Sequence, residues 1–271
     1  METRGGSIAL IAEALTTAEA RVEPRKALTT LVPTLDRLLG PFEPGKVTLV
    51  DSGSDFVFRL TTLLCVRAIM EGEEVVFVDG GNSVDPHGMV SLGRRAGLAR
   101  EEILPRVHVA RAFTCHQMAT LILDMIDKKM EETGAGLVVL SCLPELYLDE
   151  DVELREAHQL FQRSTRAIRR AVDAHGAIGL VTNAGLAKLY RRRSIRRQLY
   201  EGVDRVVRMA HGREGVLISR SDTDVSEWYR PVPADQATLD DFTTDIPRIL
   251  GLADAETPNE VRAAGYLRLG W

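Results

Sequence analysis

Lysine is scarce in this chain of 271 residues, which has five lysines among its 34 basic residues. None lies between Lys46 and Lys128, a stretch that covers much of the first half of the chain. A compositional bias of the genome explains the preference for arginine better than a global use of arginine forks to bind phosphate. The net charge of −5 also excludes a global attraction to nucleic acid, so any such site must be a local patch.

Cysteine and long apolar runs are also limited. The three cysteines, Cys65, Cys115 and Cys142, are scattered in apolar segments without the spacing of a metal site, which predicts buried free thiols in a reducing compartment. The histidines also lack the spacing of metal ligands, and we expect no metal and no cofactor. No segment is long enough to cross a membrane, and the amino terminus lacks the pattern of a signal peptide. These absences predict a soluble cytoplasmic protein without a membrane partner.

Short apolar runs alternate along the chain with segments of helical period, which predicts an α/β fold with a largely parallel sheet covered on both faces. The last two runs are close together and predict an antiparallel hairpin. The predicted strands are Val47–Val50, Val75–Asp79, Val107–Ala110, Leu137–Leu140, Ile178–Thr182, Arg205–Met209 and Gly215–Ser219. The predicted helices of the core are Arg59–Met70, Pro86–Ala96, Gln117–Glu132 and Val152–His175.

Composition divides the chain into three parts. Residues 1–33 contain a predicted helix, Ser7–Ala20, and a linker that carries two prolines. Residues 34–233 form the predicted core, since 45% of the chain is hydrophobic and one sizeable core is expected. Residues 234–271 form an acidic extension, which we expect to pack on the core or on a partner.

The segment Asp51–Phe58 lies between a predicted strand and a predicted helix, where a phosphate-binding loop is expected. Such a loop has the pattern G-x-x-x-x-G-K-[ST]. Here Asp51 takes the position of the first glycine and Phe56 that of the second, while Val57 replaces the lysine and Phe58 the hydroxyl residue. The loop therefore lacks every residue type that would contact phosphate or magnesium.

Three segments carry a resemblance to a known family. They are Thr34–Gly40 before the first predicted strand, Val107–Phe113 with His116–Met118 after it, and Leu180–Asn183. Together they resemble the RecA-type recombinases, in particular the branch of archaeal RadA and the eukaryotic recombinases, over residues 34–232. The resemblance implies a RecA-like fold and a role in DNA recombination or repair. The amino-terminal DNA-binding domain of full-length RadA is expected to be absent, as in the smaller paralogues.

The resemblance also identifies further degenerate positions. A glutamate that activates water is replaced by Gly81, an aspartate on the metal side by Ser141, and a glutamine that senses the terminal phosphate by Ala184. With Asp51, Phe56, Val57 and Phe58, these substitutions imply a catalytically inactive protein, since phosphoryl transfer needs positioned charge. Phe56 and Phe58 are expected to fill the space of a nucleotide, and Asp51 to face its phosphates. The alternative is an unrelated α/β protein in which Ser52–Asp55 is an ordinary turn and helix cap.

The densest basic cluster coincides with the second DNA-binding loop of the family. Arginine forks bind phosphates and tyrosines stack on unpaired bases, so the cluster predicts a single-stranded DNA site. Its alternative is a solvated helix with an apolar stripe formed by Leu189, Ile195, Leu199 and Val203. Four arginines of the preceding helix, Arg163, Arg166, Arg169 and Arg170, either extend the patch or form exposed salt bridges. The predicted DNA-binding residues are Lys188, Tyr190, Arg191, Arg192, Arg193, Arg196 and Arg197, with Tyr200 beside them.

The region of the family's first DNA-binding loop is acidic here, with Glu145, Asp149, Glu150, Asp151 and Glu153. Carboxylates repel a phosphate backbone, which favours a surface for a basic protein. The alternative is that Asp149–Asp151 start the following helix, where carboxylates favour the positive end of the helix dipole. The sequence therefore predicts an accessory factor in DNA recombination or repair that binds single-stranded DNA, a RadA-type recombinase or itself. A protein-interaction subunit without DNA binding and a residual nucleotide-binding ATPase remain as alternatives.

Overall fold

The computed structural model describes residues 25–149, 151–185, 189, 192–213, 215–223 and 225–230. Two predicted segments, the helix Ser7–Ala20 and the acidic extension 234–271, lie outside the described residues, and the division of the chain into three parts stays a prediction. Glu150, Lys188, Tyr190 and Arg191 also lie outside them.

An eight-stranded sheet forms the centre of the molecule, with the strand order β3-β2-β4-β5-β1-β6-β7-β8. Neighbouring strands from β3 to β6 are parallel, whereas β7 and β8 are antiparallel to their neighbours. This architecture confirms the predicted α/β fold and the antiparallel pair near the end of the core. The strands are β1 Val47–Ser52, β2 Val75–Asp79, β3 Val107–Arg111, β4 Leu137–Ser141, β5 Ile178–Asn183, β6 Arg205–Gly212, β7 Gly215–Arg220 and β8 Ser226–Tyr229.

Helices cover both faces of the sheet. The long helix that precedes β5 ends at Gly176, whose φ of 56° is the left-handed conformation that glycine adopts most readily. The part of the chain that the structure describes contains no helix long and apolar enough to cross a bilayer. The α-helices are α1 Pro33–Leu39, α2 Phe56–Met70, α3 Pro86–Arg95, α4 Arg100–Ile103, α5 Cys115–Thr120, α6 Ile126–Thr133, α7 Leu154–His175 and α8 Arg193–Glu201.

Two hydrophobic cores fill the space between the sheet and its helices. The first lies under α1, α2 and α3, and includes Val50 of β1. The second lies under α5, α6, α7 and α8, and includes Val47 and Leu49 of the same strand. Because successive side chains of a strand point to opposite faces, a central strand covered on both sides is apolar throughout. This explains why β1, β2, β4 and β5 are buried along their whole length.

Several boundaries differ from the sequence prediction. The predicted helix Gln117–Glu132 begins two residues earlier, at Cys115. The side chain of Thr114 caps it by accepting the Gln117 N–H. A π-helical turn at Leu121–Met125 divides the helix. The predicted helix Val152–His175 begins two residues later, at Leu154. Strand β8 was missed because three of its four side chains are exposed and give no apolar alternation. Helix α1 was missed because Pro33, at its first turn, was interpreted as part of a linker.

Candidate functional site

The carboxyl ends of the parallel strands bring together four of the positions singled out in the sequence. Asp51 lies near the end of β1, Gly81 just after β2, Ser141 at the end of β4 and Ala184 just after β5. In open α/β sheets this edge is where ligands bind. The predicted frame of the site is therefore present, and its chemistry depends on what these side chains contact.

The loop after β1 is short, because the strand continues through Ser52 and the helix α2 begins at Phe56. Only Gly53–Asp55 connect the two elements. The backbone N–H groups around this turn donate to partners within the protein. The donations run from Gly53 to the Met209 carbonyl (3.1 Å), from Ser54 to Ser52 Oγ (3.0 Å), from Phe56 to Ser54 Oγ (3.2 Å), from Val57 to the Ser54 carbonyl (3.3 Å) and from Phe58 to the Asp55 carbonyl (3.0 Å).

These donors matter because a phosphate-binding loop works by pointing unpaired N–H groups at the ligand. The hydroxyl of Ser52 also donates to the Ser54 carbonyl at 2.8 Å, so the two serines close the turn on itself. Asp55, at the cap position of α2, makes no side-chain capping bond. The turn is thus satisfied by its own groups, with Ser54 rather than Asp55 serving the first N–H of the helix.

The three residues after the turn lie in α2 and face the first core. Val57, at the position of the family's lysine, is fully buried. Phe56 is 5% exposed and its ring lies 5.4 Å from that of Tyr229 in β8, while the partly buried Phe58 packs against the same core. The early start of α2 turns the Phe56 side chain into the core, and the expectation that Phe56 and Phe58 fill the space of a nucleotide stays a prediction.

The position of the family's glutamate has no room for a side chain. A Cβ atom built on Gly81 would lie 2.9 Å from the Cβ of Cys142 and closer still to its sulfur. Carbon atoms do not approach this closely, so any larger residue at position 81 would displace Cys142 or the backbone. The packing of Cys142 against Gly81 therefore leaves no space for an acidic side chain at position 81, just after β2.

Ser141, where the family has an aspartate, belongs to a chain of hydroxyl groups. Its Oγ lies 2.6 Å from Ser83 Oγ and 3.3 Å from Thr182 Oγ1. The neighbouring Asp79 is buried, accepts the backbone N–H groups of Gly81, Ser83 and Val84 and the hydroxyl of Ser83, and lies 3.6 Å from the Arg111 guanidinium. Each of these polar groups has a partner inside the protein.

Asp51 is the centre of a second buried network. Its side chain is inaccessible to solvent, Oδ1 accepts a hydrogen bond from Asn183 Nδ2 at 2.6 Å, and Oδ2 accepts the hydroxyl of Tyr200. Burial of the Tyr200 ring, together with its bond to the carboxylate, raises the pKa of the phenol well above its usual value. The expectation that Asp51 faces a nucleotide was wrong, because its carboxylate points at two side-chain donors of β5 and α8.

Glu145 forms a comparable bond on the other side of β5. Its Oε1 accepts the N–H of Ala184 at 2.6 Å and that of Gly185 at 3.2 Å, where the chain leaves the sheet. Burial raises the pKa of the Glu145 carboxyl, and the two backbone bonds oppose the shift. The sequence placed Glu145 in a solvent-facing acidic surface. The structure instead shows that its carboxylate bonds to the backbone after β5.

Among the other described carboxylates of that region, Glu153 is the N-cap residue of α7, whereas Asp149 and Asp151 precede the helix. Asp149 is extended and Asp151 precedes α7, whose first turn contains Glu156. Asp151 and Glu153 are exposed, so a protein-facing acidic surface after the Glu145 segment is compatible with their positions.

The basic cluster lies on α8 in its described part. Ile195 and Leu199 are buried against the second core together with Leu189, which confirms the apolar stripe of an amphipathic helix. Arg193 and Arg197 are exposed and Arg192 and Arg196 are partly buried. Arg197 is 3.8 Å from Glu201, and both side chains are largely exposed, so this pair contributes little to stability.

The arginines of α7 divide into two groups. Arg169 bonds to Asp173 and Asp204, as predicted for a salt-bridge partner. Arg163, Arg166 and Arg170 form no ion pair with any described residue, and their assignment as salt-bridge partners stays a prediction. They line a groove of about 900 Å³ between α7 and the end of α8, which also contains the carboxylates of Asp124, Glu201 and Asp204.

Two contributions to this edge were missed in the sequence. Arg208 of β6 lies in the register opposite Asp51, and its guanidinium carbon is 5.4 Å from the centre of the Tyr200 ring. Tyr200 itself was noted as a flanking aromatic residue, but not as a ligand of Asp51. A charged residue in the interior of a strand was the signal for Arg208, since such a side chain needs an exposed or paired position.

The resemblance implies ATP and Mg²⁺ at this edge, and the groups present do not fit them. Five N–H donors around the loop are used internally, position 57 is a buried valine, and Ser141 is bonded to other hydroxyls. Within the described ranges no group of three or more His, Cys, Asp or Glu side chains is arranged to hold a metal ion.

Replacing Tyr200 with phenylalanine should destabilise the protein through Asp51. Loss of a hydrogen bond to a buried carboxylate is expected to lower the free energy of unfolding by about 2 kcal/mol. Tyr147→Phe is the matched control, because that phenol bonds to the neutral Ser164 hydroxyl at 2.8 Å and its loss should cost about 1 kcal/mol. Urea denaturation of both variants measures the difference, and equal losses would contradict the assigned role of Asp51.

Replacing Glu145 with glutamine should change the pH dependence of stability. The pKa of the Glu145 carboxyl is raised from its ordinary value of 4.5 in the folded state. The contribution of this carboxyl to the free energy of unfolding therefore becomes less favourable as the pH rises from 4.5 towards the folded-state pKa. Glutamine keeps an acceptor for the Ala184 N–H but does not titrate. The stability of Glu145→Gln relative to wild type should therefore be greater at about pH 7.5 than at about pH 5.

Urea denaturation at both pH values measures this trend. Glu153→Gln, which removes an exposed carboxylate from the same segment, is the control. A stability difference for Glu145→Gln that is the same at both pH values would contradict the assignment of a buried, titrating carboxyl to position 145.

Comparison with known proteins identifies relatives among DNA repair and recombination proteins. A family model described as Rad51 matches residues 33–195. The chain is 31% identical over 183 residues to the DNA repair and recombination protein RadA of Methanoculleus marisnigri, a match that covers 58% of this chain and 55% of the relative. It is 27% identical over 176 residues to the DNA repair protein RAD51 of Saccharomyces cerevisiae, covering 60% of this chain and 43% of the relative.

A third relative is the DNA repair protein RAD51 of Mycosarcoma maydis, 25% identical over 176 residues, with 60% of this chain and 51% of the relative covered. The chain thus spans about half the length of the curated relatives it matches. The family model covers more than half of the chain and includes every strand from β1 to β5. The chain therefore belongs to the Rad51 family, within the RecA/RadA recombinase superfamily.

Proposed function

We propose that the chain is a catalytically inactive member of the Rad51 family that acts as an accessory factor in DNA recombination or repair by binding single-stranded DNA. The observation that carries the first part is the turn Gly53–Asp55, around which five N–H groups donate within the protein, those of Gly53, Ser54, Phe56, Val57 and Phe58. The DNA-binding part rests on the exposed basic side of α8 and on the names of the relatives, which describe DNA repair and recombination proteins.

Loss of ATP hydrolysis follows from the chemistry of phosphoryl transfer. The reaction depends on oriented donors, cations and metal ions that stabilise charge on the phosphates. Removing one such donor typically costs about 3 kcal/mol of transition-state stabilisation. Here the lysine position holds a buried valine, the position after β2 has no room for a glutamate, and Ser141 is bonded to Ser83 and Thr182.

DNA binding without ATP is supported by the two carboxylates at the ends of the basic segment. Glu145 holds the chain where it leaves β5, and Asp51 holds Tyr200 near the end of α8. Both bonds are internal, so the segment between them is anchored to the sheet by the protein alone. An anchored basic segment loses less conformational entropy when it binds a phosphate backbone.

Titration of the protein with ATP and Mg²⁺ should give no binding heat, and single-stranded DNA should bind with the same affinity whether or not ATP and Mg²⁺ are present. Fluorescence anisotropy of a labelled oligonucleotide should show a steep loss of affinity with salt, since arginine–phosphate contacts release counterions. Arg192→Ala and Arg196→Ala should each weaken binding and reduce the salt slope by about 1.

Arg37→Ala, which removes an exposed arginine from α1, is the control and should bind DNA as the wild type does. Tight, magnesium-dependent binding of ATP would contradict the inactive site. Absence of any salt-dependent DNA affinity would contradict the DNA-binding role.

A second candidate function, docking of a protein, is supported at the opposite side of the sheet. Strand β3 is an edge strand, so the backbone groups on its outer side have no neighbouring strand among the described residues. Val109 is 45% exposed there, and Phe113, two residues beyond the strand, is 70% exposed. An added strand with an apolar anchor would fit such an edge, and a RadA-type recombinase or a second copy of this chain is the proposed partner.

Sedimentation of the protein alone and with a RadA-type recombinase tests this candidate. Phe113→Asp should weaken the association at least tenfold, because it places a charge at the anchor position. Met125→Asp, which alters another exposed apolar side chain away from β3, should leave it unchanged. Association that is equal in the two variants would reject the β3 edge as the docking surface.

A further inference from the structure

A cavity of about 290 Å³ lies between α3 and α4, on the face of the sheet that carries the first core. Its polar wall combines two guanidinium groups, an imidazole and a hydroxyl, and it contains no carboxylate among the described residues. These groups belong to Arg94, Arg100, His87 and Ser91. None of them is part of the basic segment that is proposed to bind DNA.

Helix α3 supplies three of the four polar groups from a fixed backbone. His87, Ser91 and Arg94 are four and three residues apart, so their side chains leave the helix on one side. The other side of α3 is buried in the first core through Met89 and Leu92. A helix anchored in this way presents its polar side chains from a rigid element, which favours a preformed site.

Helix α4 is held against α3 by a close contact at Gly93. A Cβ atom built on Gly93 would lie 2.3 Å from Cδ1 of Ile103, a residue that is fully buried. The absence of a side chain at position 93 therefore lets α4 approach α3. Arg100, in the first turn of α4, lines the same cavity as Arg94 because of this approach. The cavity thus depends on the packing of two helices.

The carboxylates near these helices do not neutralise the two arginines. Asp85 and Glu102 accept backbone N–H groups at the starts of α3 and α4, and the exposed Glu101 does not line the cavity. The guanidinium groups of Arg94 and Arg100 form no ion pair and no hydrogen bond with any other described residue. Their donors are therefore available to an anionic ligand.

A phosphate monoester fits these groups better than a carboxylate does. At neutral pH it carries about two negative charges and three strong acceptor oxygens, whereas a carboxylate has one charge and two oxygens. Guanidinium groups bind phosphate through paired N–H donors, and hydroxyl and imidazole groups add single donors. The cavity has more donors than one carboxylate can use, and its two guanidinium charges match those of a phosphate.

The rest of the wall is apolar and is formed by Pro86, Val90 and Leu104. An organic group attached to the phosphate would pack against these side chains. Ligand sites in proteins typically have volumes of about 300–1,000 Å³, so this cavity is at the small end of the range. The organic group must therefore be small.

We propose that this cavity binds a phosphate monoester with a small apolar or aromatic organic group. Arg94 and Arg100 bind the phosphate, and the imidazole N–H of His87 and the hydroxyl of Ser91 donate to its oxygens. The ester is either a free small molecule or a phosphorylated side chain, which share this chemistry. The site lies on the opposite face of the sheet from α8, so it is separate from the proposed DNA-binding surface and does not depend on that function.

Isothermal titration with phenyl phosphate tests the site. Arg94→Ala and Arg100→Ala should each weaken binding about tenfold, because each removes charge-assisted hydrogen bonds to the phosphate. Arg94→Lys, which keeps the charge but not the paired donors, should lie between Arg94→Ala and the wild type. Inorganic phosphate and benzoate should both bind more weakly than phenyl phosphate, since one lacks the organic group and the other the phosphate.

Arg155→Ala is the matched control, because it removes an exposed arginine of α7 that does not line the cavity, and it should bind phenyl phosphate as the wild type does. Arg94 and Arg100 are exposed, so their variants should fold, which circular dichroism verifies. A phosphotyrosine peptide that binds as tightly as phenyl phosphate would identify a phosphorylated side chain as the source. A peptide that binds much more weakly would identify a free ester.

Three results would overturn the site. The first is no binding of phenyl phosphate at millimolar concentration, or equal binding by the wild type, Arg94→Ala and Arg100→Ala. The second is benzoate binding as tight as that of phenyl phosphate, which would reject phosphate as the recognised group. The third is weaker binding of an oligothymidylate by Arg94→Ala without any effect on phenyl phosphate, which would assign these arginines to DNA instead.

Discussion

The buried carboxylate of Asp51 is the interaction on which the organisation of the carboxyl edge depends. It stands in β1, accepts hydrogen bonds from Asn183 of β5 and Tyr200 of α8, and is closed off from solvent. A buried carboxylate without partners would cost several kcal/mol, so these two donors must be present for β1 to continue through this position. The same requirement fixes α8 against the sheet, and with α8 it fixes the arginines that the helix presents.

Glu145 repeats this arrangement at the start of the same segment, where it accepts two backbone N–H groups. The two carboxylates hold both ends of the basic segment, and the serine-closed turn after β1 uses its own donors. Five backbone N–H groups around this turn thus donate to carbonyl and hydroxyl oxygens of the protein itself. In the proposed function, these internal bonds keep the DNA-facing surface in place without ATP.

Much of the fold could be predicted from the sequence, because central parallel strands are apolar throughout and their ends are marked by polar residues. Strand β2 was predicted with its observed bounds, and the other predicted strands begin where expected. The edge strand β8 could not be predicted, because its exposed side chains give no apolar alternation. The short helix α1 was not predicted, because the proline in its first turn was interpreted as part of a linker. The positions proposed as degenerate could also be read from the sequence, because they needed only the identity of each residue.

The sequence by itself determined the order of strands and helices, the membership in the Rad51 family and the absence of lysine between Lys46 and Lys128, since each of these depends on residue types along the chain. Only the tertiary structure decided that Asp51 bonds to Tyr200, that Glu145 is buried against Ala184, and that Arg208 joins the arginines of α8. These pairs are separated by tens to more than a hundred residues or lie on different elements. Their contacts depend on the register of the sheet and the packing of α8, which no local pattern specifies.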